Sequence, residues 1–462
     1  MSDITVEPTP IPGLLVVRVP LHEDARGWFK EAWQREKMTA LGLPDFGPVQ
    51  ANMSYNANRG TTRGIHAEPW DKFVTVAAGR VFGAWVDLRT GPTFGTVFTT
   101  EVDPSVCVYV PRGVGNSYQA LAAATTYCYL VNDHWRPGQE YPALALDDPT
   151  AAIAWPIPLA EADVSEKDRT RNPRLAEVVP LQPRRTLVTG SNGQLGRALA
   201  AEFPDATTAG SHELDLTDEA AVAAWPWHEY GFVLNAAAYT AVDAAETPEG
   251  RRSAWRANAG IPTTLARIAT EHRLTLVHYS TDYVFDGTQV DGGHREDEAL
   301  SPLGVYGQSK AAGDLVVGTC PRHYLVRTSW VVGDGNNFVR TMRRLAADGV
   351  SPSVVDDQVG RLTFTSELAR ATRHLLEVDA APGTYNVTNA GPPQSWADVA
   401  RRVFELSGRD PEDIRPVSTE EYDAGRSSAP RPRCSLLSLD KIAATGFVSE
   451  PVDDALIAYL TD

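Results

Sequence analysis

The chain is poor in sulfur and in positive charge. It has four cysteines and four methionines in 462 residues, and 42 Lys and Arg against 59 Asp and Glu, a formal net charge of −17. Cys107, Cys128, Cys320 and Cys434 show no CxxC spacing. That argues against a zinc ribbon or a redox pair and suits free thiols in a reducing compartment. The shortage of cations disfavours nucleic acid or an anionic membrane as partner. An anionic ligand must instead be held by local Arg, Lys and backbone N–H groups. No apolar run approaches membrane-spanning length, and MSDITVEPTP has neither a basic region nor an apolar core, so a cytoplasmic location is expected. Histidine is scarce too. The first part of the chain holds only His22, His66 and His134 with no HxH pair, short of a metal ligand set, and no metal is expected.

What is present is an ordinary globular composition, 43% hydrophobic and 22% charged. At roughly 100–200 residues per domain the length implies two or three domains. In the first part, LLVVRV, KFVTVA, RVFGAWVDL, TVFTTEV, VCVYVP and TYCYLVN are short β-type runs separated by turn residues, with one short helix expected over residues 36–41. Such a pattern predicts an all-β sandwich or barrel with a mouth for a small ligand. Pro173, Pro180 and Pro183 then form a semi-rigid spacer. They set the expected domains at residues 1–180 and 184–462. Beyond them VLNAAA, LTLVHYS and YLVRTSW read as buried strands, and PTTLARIATEH and FVRTMRRLAADG as helices, which predicts a doubly wound α/β domain.

RTLVTGSNGQLG, residues 185–196, delivers a β-branched strand into Gly190, Gly193 and Gly196 and straight on to a helix. Glycines there let a pyrophosphate approach the exposed N–H groups of the helix start. Farther on, Ser280, Thr281, Asp282 and Tyr283 follow a strand, and Tyr306-Gly-Gln-Ser-Lys310 opens a helix. A Tyr and a Lys four apart share one helical face. Beside a nicotinamide, the ammonium lowers the phenol's pKa while the phenol gives a proton to a carbonyl receiving hydride. In the first domain, residues 63–72 gather Arg63, His66 and Lys72, which read either as an anion clamp, a base and a cation at one mouth or as a solvated strand edge with a hydrogen-bonded His.

These motifs have further company. DARGWFKE, PVQANMS, TRGIHAEP, DKFVTVAAGRVFGAWVDLR, GPTFG, YVPRGVGNSYQAL and VSEKD together resemble dTDP-4-dehydrorhamnose 3,5-epimerase, a cupin-type jelly roll. The resemblance implies His66 as the base at C5 and C3 of a 4-keto sugar and Asp168 as its carboxylate partner. It also implies Lys72 as the cation at the enolate oxygen and Tyr129 as the acid on the opposite face. Arg26, Phe29, Glu31, Gln50, Asn52 and Arg63 match positions that bind the nucleotide diphosphate, in a site that the family builds across a dimer. Two departures stand out. Ala67 and Glu68 replace an aromatic and a Gln after the His, and Asn116 replaces a site His, which alters ring contacts or restricts epimerisation to one carbon. Double epimerisation remains the expectation.

In the second domain GxxGxxG with YxxxK resembles the extended short-chain dehydrogenase/reductases. NAAAYTAVDAAE, HYSTDYVFDG, SPLGVYGQSKAAGD, VRTSWVVGDGNNFVRTM, DDQVGRLTF and SAPRPRCSLLSLDK are similar to dTDP-4-dehydrorhamnose reductase. That implies Thr281, Tyr306 and Lys310 as catalytic residues and Asp282, Tyr283 and Trp330 as sugar contacts. Gly190, Asn192, Gly193, Gln194, Leu195 and Gly196 would hold the pyrophosphate. Asp215 and Leu216 would lie near the adenosine, and Ala236, Ala237, Ala238 and Thr240 would line the path to the nicotinamide. Asp215 has a spacing suited to ribose selection, but its ELDLTD setting reads as the strand after the selecting one. The family implies NADPH, with NADH the alternative. The last stretch reads as a small substrate lobe in which Arg431 and Arg433 meet a phosphate or serve solubility.

Taken together, the expectation is a bifunctional enzyme that epimerises dTDP-4-dehydro-6-deoxy-D-glucose and then reduces the C4 ketone. The alternative is a reductase whose N-terminal barrel only binds sugar nucleotide or dimerises.

Overall fold

A computed structural model describes residues 4–135, 138, 140–288 and 292–461. The chain divides into two compact units that meet in sequence between Pro183 and Arg184.

In the first unit, alternation of apolar and polar residues builds two antiparallel sheets. One has six strands in the order Thr5–Pro8, Leu15–Arg18, Val106–Val110, Lys72–Ala78, Thr125–Val131 and Gln50–Asn56. The other runs Asp163–Val164, Thr61–His66, Val114–Ala120, Val81–Asp87 and Val97–Val102, with only its first pair parallel. Val16, Val74 and Val108 from the six-stranded sheet and Trp85, Val102 and Tyr118 from the five-stranded sheet share one buried cluster. The core therefore lies between the sheets, as in a β-sandwich. The expected short helix spans Arg35–Ala40.

The second unit carries a six-stranded, wholly parallel sheet ordered Thr207–Ala209, Arg185–Thr189, Tyr230–Asn235, Thr275–Thr281, His323–Thr328 and Gly383–Asn386. Helices cover both faces. Leu265 and Ile268 of Ile261–His272 pack on one side, and Leu199 of Gln194–Glu202 and Leu368 of Thr365–Glu377 on the other. Burial on both faces is why these strands read as continuous apolar runs rather than alternating ones. The strand order reverses at Arg185–Thr189, so the ligand crevice is expected at the carboxyl ends of that strand and its neighbours. A separate cluster, including Val339, Val403, Phe404 and Leu456, forms the core of the C-terminal lobe.

One expectation fails. ELDLTD is not a strand: residues 211–218 form turns, with Leu214 and Leu216 buried and Asp215 exposed. Asp215 accepts from the Thr217 N–H at 2.8 Å and the Thr217 hydroxyl at 2.7 Å. That local turn competes with strand pairing, as short Asp side chains commonly do. None of the described helices is long and apolar enough to cross a membrane.

Candidate active sites

In the first unit a cavity of about 400 Å³ opens among residues of both sheets. His66 ends the strand Thr61–His66, and Asp168 lies in the short helix Glu166–Thr170, whose N-terminus Ser165 caps. His66 Nε2 and Asp168 Oδ1 are 2.9 Å apart. Burial pushes the Asp168 carboxyl up, but hydrogen bonds from His66 and Ser165 and the charge on His66 outweigh it. Asp168 therefore sits below the ordinary carboxylate value, and an ionised partner fixes the imidazole's orientation.

Lys72, at the start of Lys72–Ala78, reaches the same cavity and pairs with Glu68 at 2.5 Å. Its ammonium also lies 5.5 Å from the centre of the Tyr129 ring. Burial first, then the Glu68 charge, push the Tyr129 phenol up to about 12, so it is a proton donor through the physiological range. Asn116 lines the wall opposite His66 in the register of the paired strands. Its Oδ1 accepts from Trp85 Nε1 at 2.9 Å and Tyr127 Oη at 3.0 Å. What Asn116 has left to offer a ligand is its amide nitrogen.

Arg63 lines the cavity, but Arg26, Phe29, Glu31, Gln50 and Asn52 do not. Arg26 is exposed and paired with Asp24, and Glu31 with Lys37 at 2.6 Å. Gln50 and Asn52 bond to each other on the outermost strand of the six-stranded sheet.

In the second unit the turn after Arg185–Thr189 is shaped by close approach. A Cβ on Gly190 would lie 2.5 Å from the Ala237 nitrogen, with φ at +66°, and one on Gly196 would lie 2.2 Å from the Gly190 oxygen. Gly193 begins the helix Gln194–Glu202 with no side-chain cap, which leaves the first N–H groups free for an anion. Gln194 also donates to Asn336 O at 3.3 Å. Asn192 lies in this turn and Leu195 in the first turn of the helix, and Ala236, Ala237, Ala238 and Thr240 follow the neighbouring strand Tyr230–Asn235. The turn thus fits a dinucleotide pyrophosphate. Leu216 lines a groove of about 540 Å³ with Arg256 and Ile261.

Tyr306 and Lys310 stand one turn apart on the helix Val305–Val317. The Thr281 hydroxyl bridges Tyr306 and Asp282, with Thr281 Oγ1 and Asp282 Oδ1 at 2.9 Å. Burial, chiefly, holds the Tyr306 phenol above its ordinary value, aided by the Asp282 charge and by Tyr283. The expected lowering by Lys310 is not what this arrangement produces, because Lys310 Nζ is engaged by Tyr279 O at 2.5 Å and lies beside His278 Nε2 at 3.4 Å. Burial brings Lys310 down to about 8 and lifts Asp282 to about 6. Tyr283 packs edge-on against Tyr306 at 5.6 Å and meets Arg431, which also pairs with Asp243 at 2.8 Å. Arg433 points to Asp357 at 3.6 Å. Trp330 stacks on Trp396 at 3.7 Å, a packing contact for one of its faces.

Sequence reading passed over His278, Asn235, Asp314 and Arg327. The signal was present: Arg327 interrupts an apolar strand, Asp314 sits four residues after Lys310 on a buried helix face, and Arg327 and Asp314 meet as an ion pair at 3.0 Å.

Fold and sites together define a two-part enzyme: a β-sandwich with an acid–base cavity, followed by a dinucleotide-fold oxidoreductase with a Thr–Tyr–Lys set. Residues 184–462 match the model of the RmlD substrate binding domain, and residues 8–177 that of dTDP-4-dehydrorhamnose 3,5-epimerase. Over 183 residues the chain is 46% identical to the protein RmlC homolog of Streptococcus pyogenes, covering 38% of this chain and 90% of that protein. Over 288 residues it is 37% identical to the dTDP-4-dehydrorhamnose reductase of Mycolicibacterium smegmatis, covering 60% and 86%. The solved dTDP-4-dehydrorhamnose reductase of Bacillus anthracis, in complex with NADP, is similar with a TM-score of 0.54 and 32% identity, over 60% of this chain and 98% of that one. The chain belongs to the dTDP-4-dehydrorhamnose reductase family, fused at its N-terminal side to a member of the dTDP-4-dehydrorhamnose 3,5-epimerase family.

Proposed function

We propose that the chain is a bifunctional enzyme of dTDP-L-rhamnose formation. Residues 1–180 epimerise dTDP-4-dehydro-6-deoxy-D-glucose at C3 and C5, and residues 184–462 reduce the C4 ketone with NADPH. The observation that carries this reading is the presence, on one chain, of two separate proton-handling sets, His66–Asp168 with Lys72 and Tyr129, and Thr281 with Tyr306 and Lys310.

In the first set His66 takes the proton at C5 and then at C3 while Asp168 holds its ring. A proton beside a ketone becomes removable when the oxyanion meets a fixed cation. Lys72 supplies it, exchanging Glu68 for the enolate oxygen, and Tyr129 returns the proton from the other face. Arg63 and Asn116 bind substrate within the cavity. Arg26, Phe29, Glu31, Gln50 and Asn52 bind nucleotide in the assembled enzyme. Phe29 is 65% exposed, and Met53 and Tyr55 on the outer strand are 79% and 64% exposed, an apolar edge suited to a second copy. We therefore read this domain as a cupin-type jelly roll that forms a homodimer.

In the second set Gly190, Asn192, Gly193, Gln194, Leu195 and Gly196 would hold the pyrophosphate of NADPH, with NADH the alternative. Asp215 and Leu216 would lie by the adenosine, and Ala236, Ala237, Ala238 and Thr240 would line the path to the nicotinamide. When bound, the cofactor supplies the hydride. Tyr306 gives its proton to the ketone oxygen, Thr281 steadies the phenol, Lys310 would bind the cofactor ribose, and Asp282, Tyr283 and Trp330 contact the sugar. The four free cysteines suit a cytoplasmic enzyme. Supplying the 4-keto sugar nucleotide and NADPH to the purified chain tests the reading. A 6-deoxy-L-sugar product is expected, and NADPH oxidation that yields only the D-sugar would overturn it.

A further inference from the structure

Behind Lys310 lies a row of buried polar side chains that the chemistry above does not use. Thr189, Asn235 and His278 stand on three neighbouring parallel strands, each 1% exposed, and the row ends at Lys310, 2% exposed. Thr189 Oγ1 donates to Asn235 Oδ1 at 2.8 Å, and the Ala237 backbone N–H donates to the same oxygen at 3.2 Å. Those two donors identify which atom of the amide is oxygen. Asn235 Nδ2 therefore faces His278 Nδ1 at 2.9 Å, and since an amide nitrogen only donates, Nδ1 is the bare ring nitrogen. Burial, and then the Lys310 charge, hold His278 far below the ordinary imidazole range, so the ring is neutral. A neutral ring with a bare Nδ1 carries its hydrogen on Nε2. That hydrogen faces Lys310 Nζ, 3.4 Å from Nε2.

Lys310 Nζ also donates to Tyr279 O. An ammonium has three donors and no lone pair, so it suits the carbonyl but meets His278 donor against donor. A neutral amine suits both, with an N–H toward the carbonyl and its lone pair toward Nε2–H. We propose that His278, locked as its Nε2–H tautomer by Asn235, is a positioning residue that loosens the hold of Lys310 on its proton. This rests on Lys310 being the lysine of the reductase site.

Among the described residues, charged or titratable groups around this helix include Tyr306 and Asp314 on the helix itself, Arg327 on the next strand, Asp282 and Tyr283 past the strand end, Tyr239 and Cys320 packed at its two ends, and Glu246, which accepts the Val305 N–H. Among them Asp314 favours the ammonium, but it is tied to Arg327.

The test is the titration of Lys310 in the cofactor-free full chain by 13Cε NMR, the resonance assigned by its loss in Lys310→Arg. His278→Leu removes the opposing donor. Asn235→Asp reverses the tautomer, because a carboxylate accepts from Nδ1–H and turns the Nε2 lone pair toward Lys310. Each variant is expected to raise the midpoint by about one pH unit, a tenfold tighter hold, and to carry the alkaline limb of the reductase kcat upward with it. Asn235→Asp also brings a negative charge that favours the ammonium, so a midpoint that stays put in it overturns the proposal, while a rise counts as support through His278→Leu, which adds no charge. A midpoint that stays put in a folded variant, with only a lowered melting temperature, overturns the proposal and leaves the reductase reading intact. Unimpaired ketone reduction by Lys310→Ala would instead sink the reductase reading, whatever the titration shows.

Discussion

Asp282 is held in a place that its charge resists. Its side chain is 2% exposed and burial lifts the carboxyl to about 6, against about 3.9 for an unperturbed Asp. A carboxyl raised in the fold favours folding while protonated, in full below the unfolded value, and loses that contribution as pH rises through about 6. At pH 8 the ionised Asp282 therefore opposes folding by about 2–3 kcal/mol. Asp282→Asn keeps an acceptor for the Thr281 hydroxyl and removes the charge. Thermal unfolding should show the second unit stabilised by that amount at pH 8, with the gain gone below pH 4, while affinity for the sugar nucleotide falls. A destabilised variant at pH 8 would show that Asp282 is held by its charge after all. Among the epimerase residues the same economy of partners applies to His66. His66→Ala should slow solvent-proton exchange at C3 and C5 by roughly 10²–10⁴-fold, as followed by NMR, while reduction of epimerised substrate is unchanged.

Elements that bury a regular apolar pattern were readable in advance, and elements set by partners far along the chain were not. The strands KFVTVA and LTLVHYS, the helix Val305–Val317 and the glycine turn follow from local periodicity and backbone sterics. ELDLTD misleads because its alternation mimics a strand, while the Asp215 side chain spends itself on the Thr217 turn. The row from Thr189 to Lys310 depends on register between strands, which a sequence does not display. The glycine turn yields a graded test. Gly196→Ala puts a methyl 2.2 Å from the Gly190 oxygen, whereas Gly193→Ala meets that oxygen only at 3.3 Å. Gly196→Ala should cost about 1–3 kcal/mol in denaturant unfolding and abolish NADPH binding, with Gly193→Ala distinctly milder in stability. At the other site, Ser165→Ala removes the cap of the helix that carries Asp168. It should cost about 1 kcal/mol and lower kcat of epimerisation more than it raises KM. Equal unfolding curves for the two glycine variants would contradict the close-packing argument.

The whole chain joins two families whose sites share no residue, so damage to one should spare the other. Tyr306→Phe is expected to stop reduction and leave exchange at C3 and C5 at its normal rate, the reverse of His66→Ala. Mixing those two variants should restore formation of the final sugar nucleotide, because an intermediate released by one can be reduced by the other. Order of reaction is the deeper matter, since the reductase family alone does not say which ketone reaches Tyr306. It can be read by running the complete reaction in D2O with NADPH and mapping deuterium on the product by NMR. Deuterium at C3 and C5 with protium at C4 is expected, the mark of proton exchange at the sandwich followed by hydride delivery at the dinucleotide fold. A reduced product carrying protium at C3 and C5 would show that the ketone bypasses His66, and the two-step account would fall.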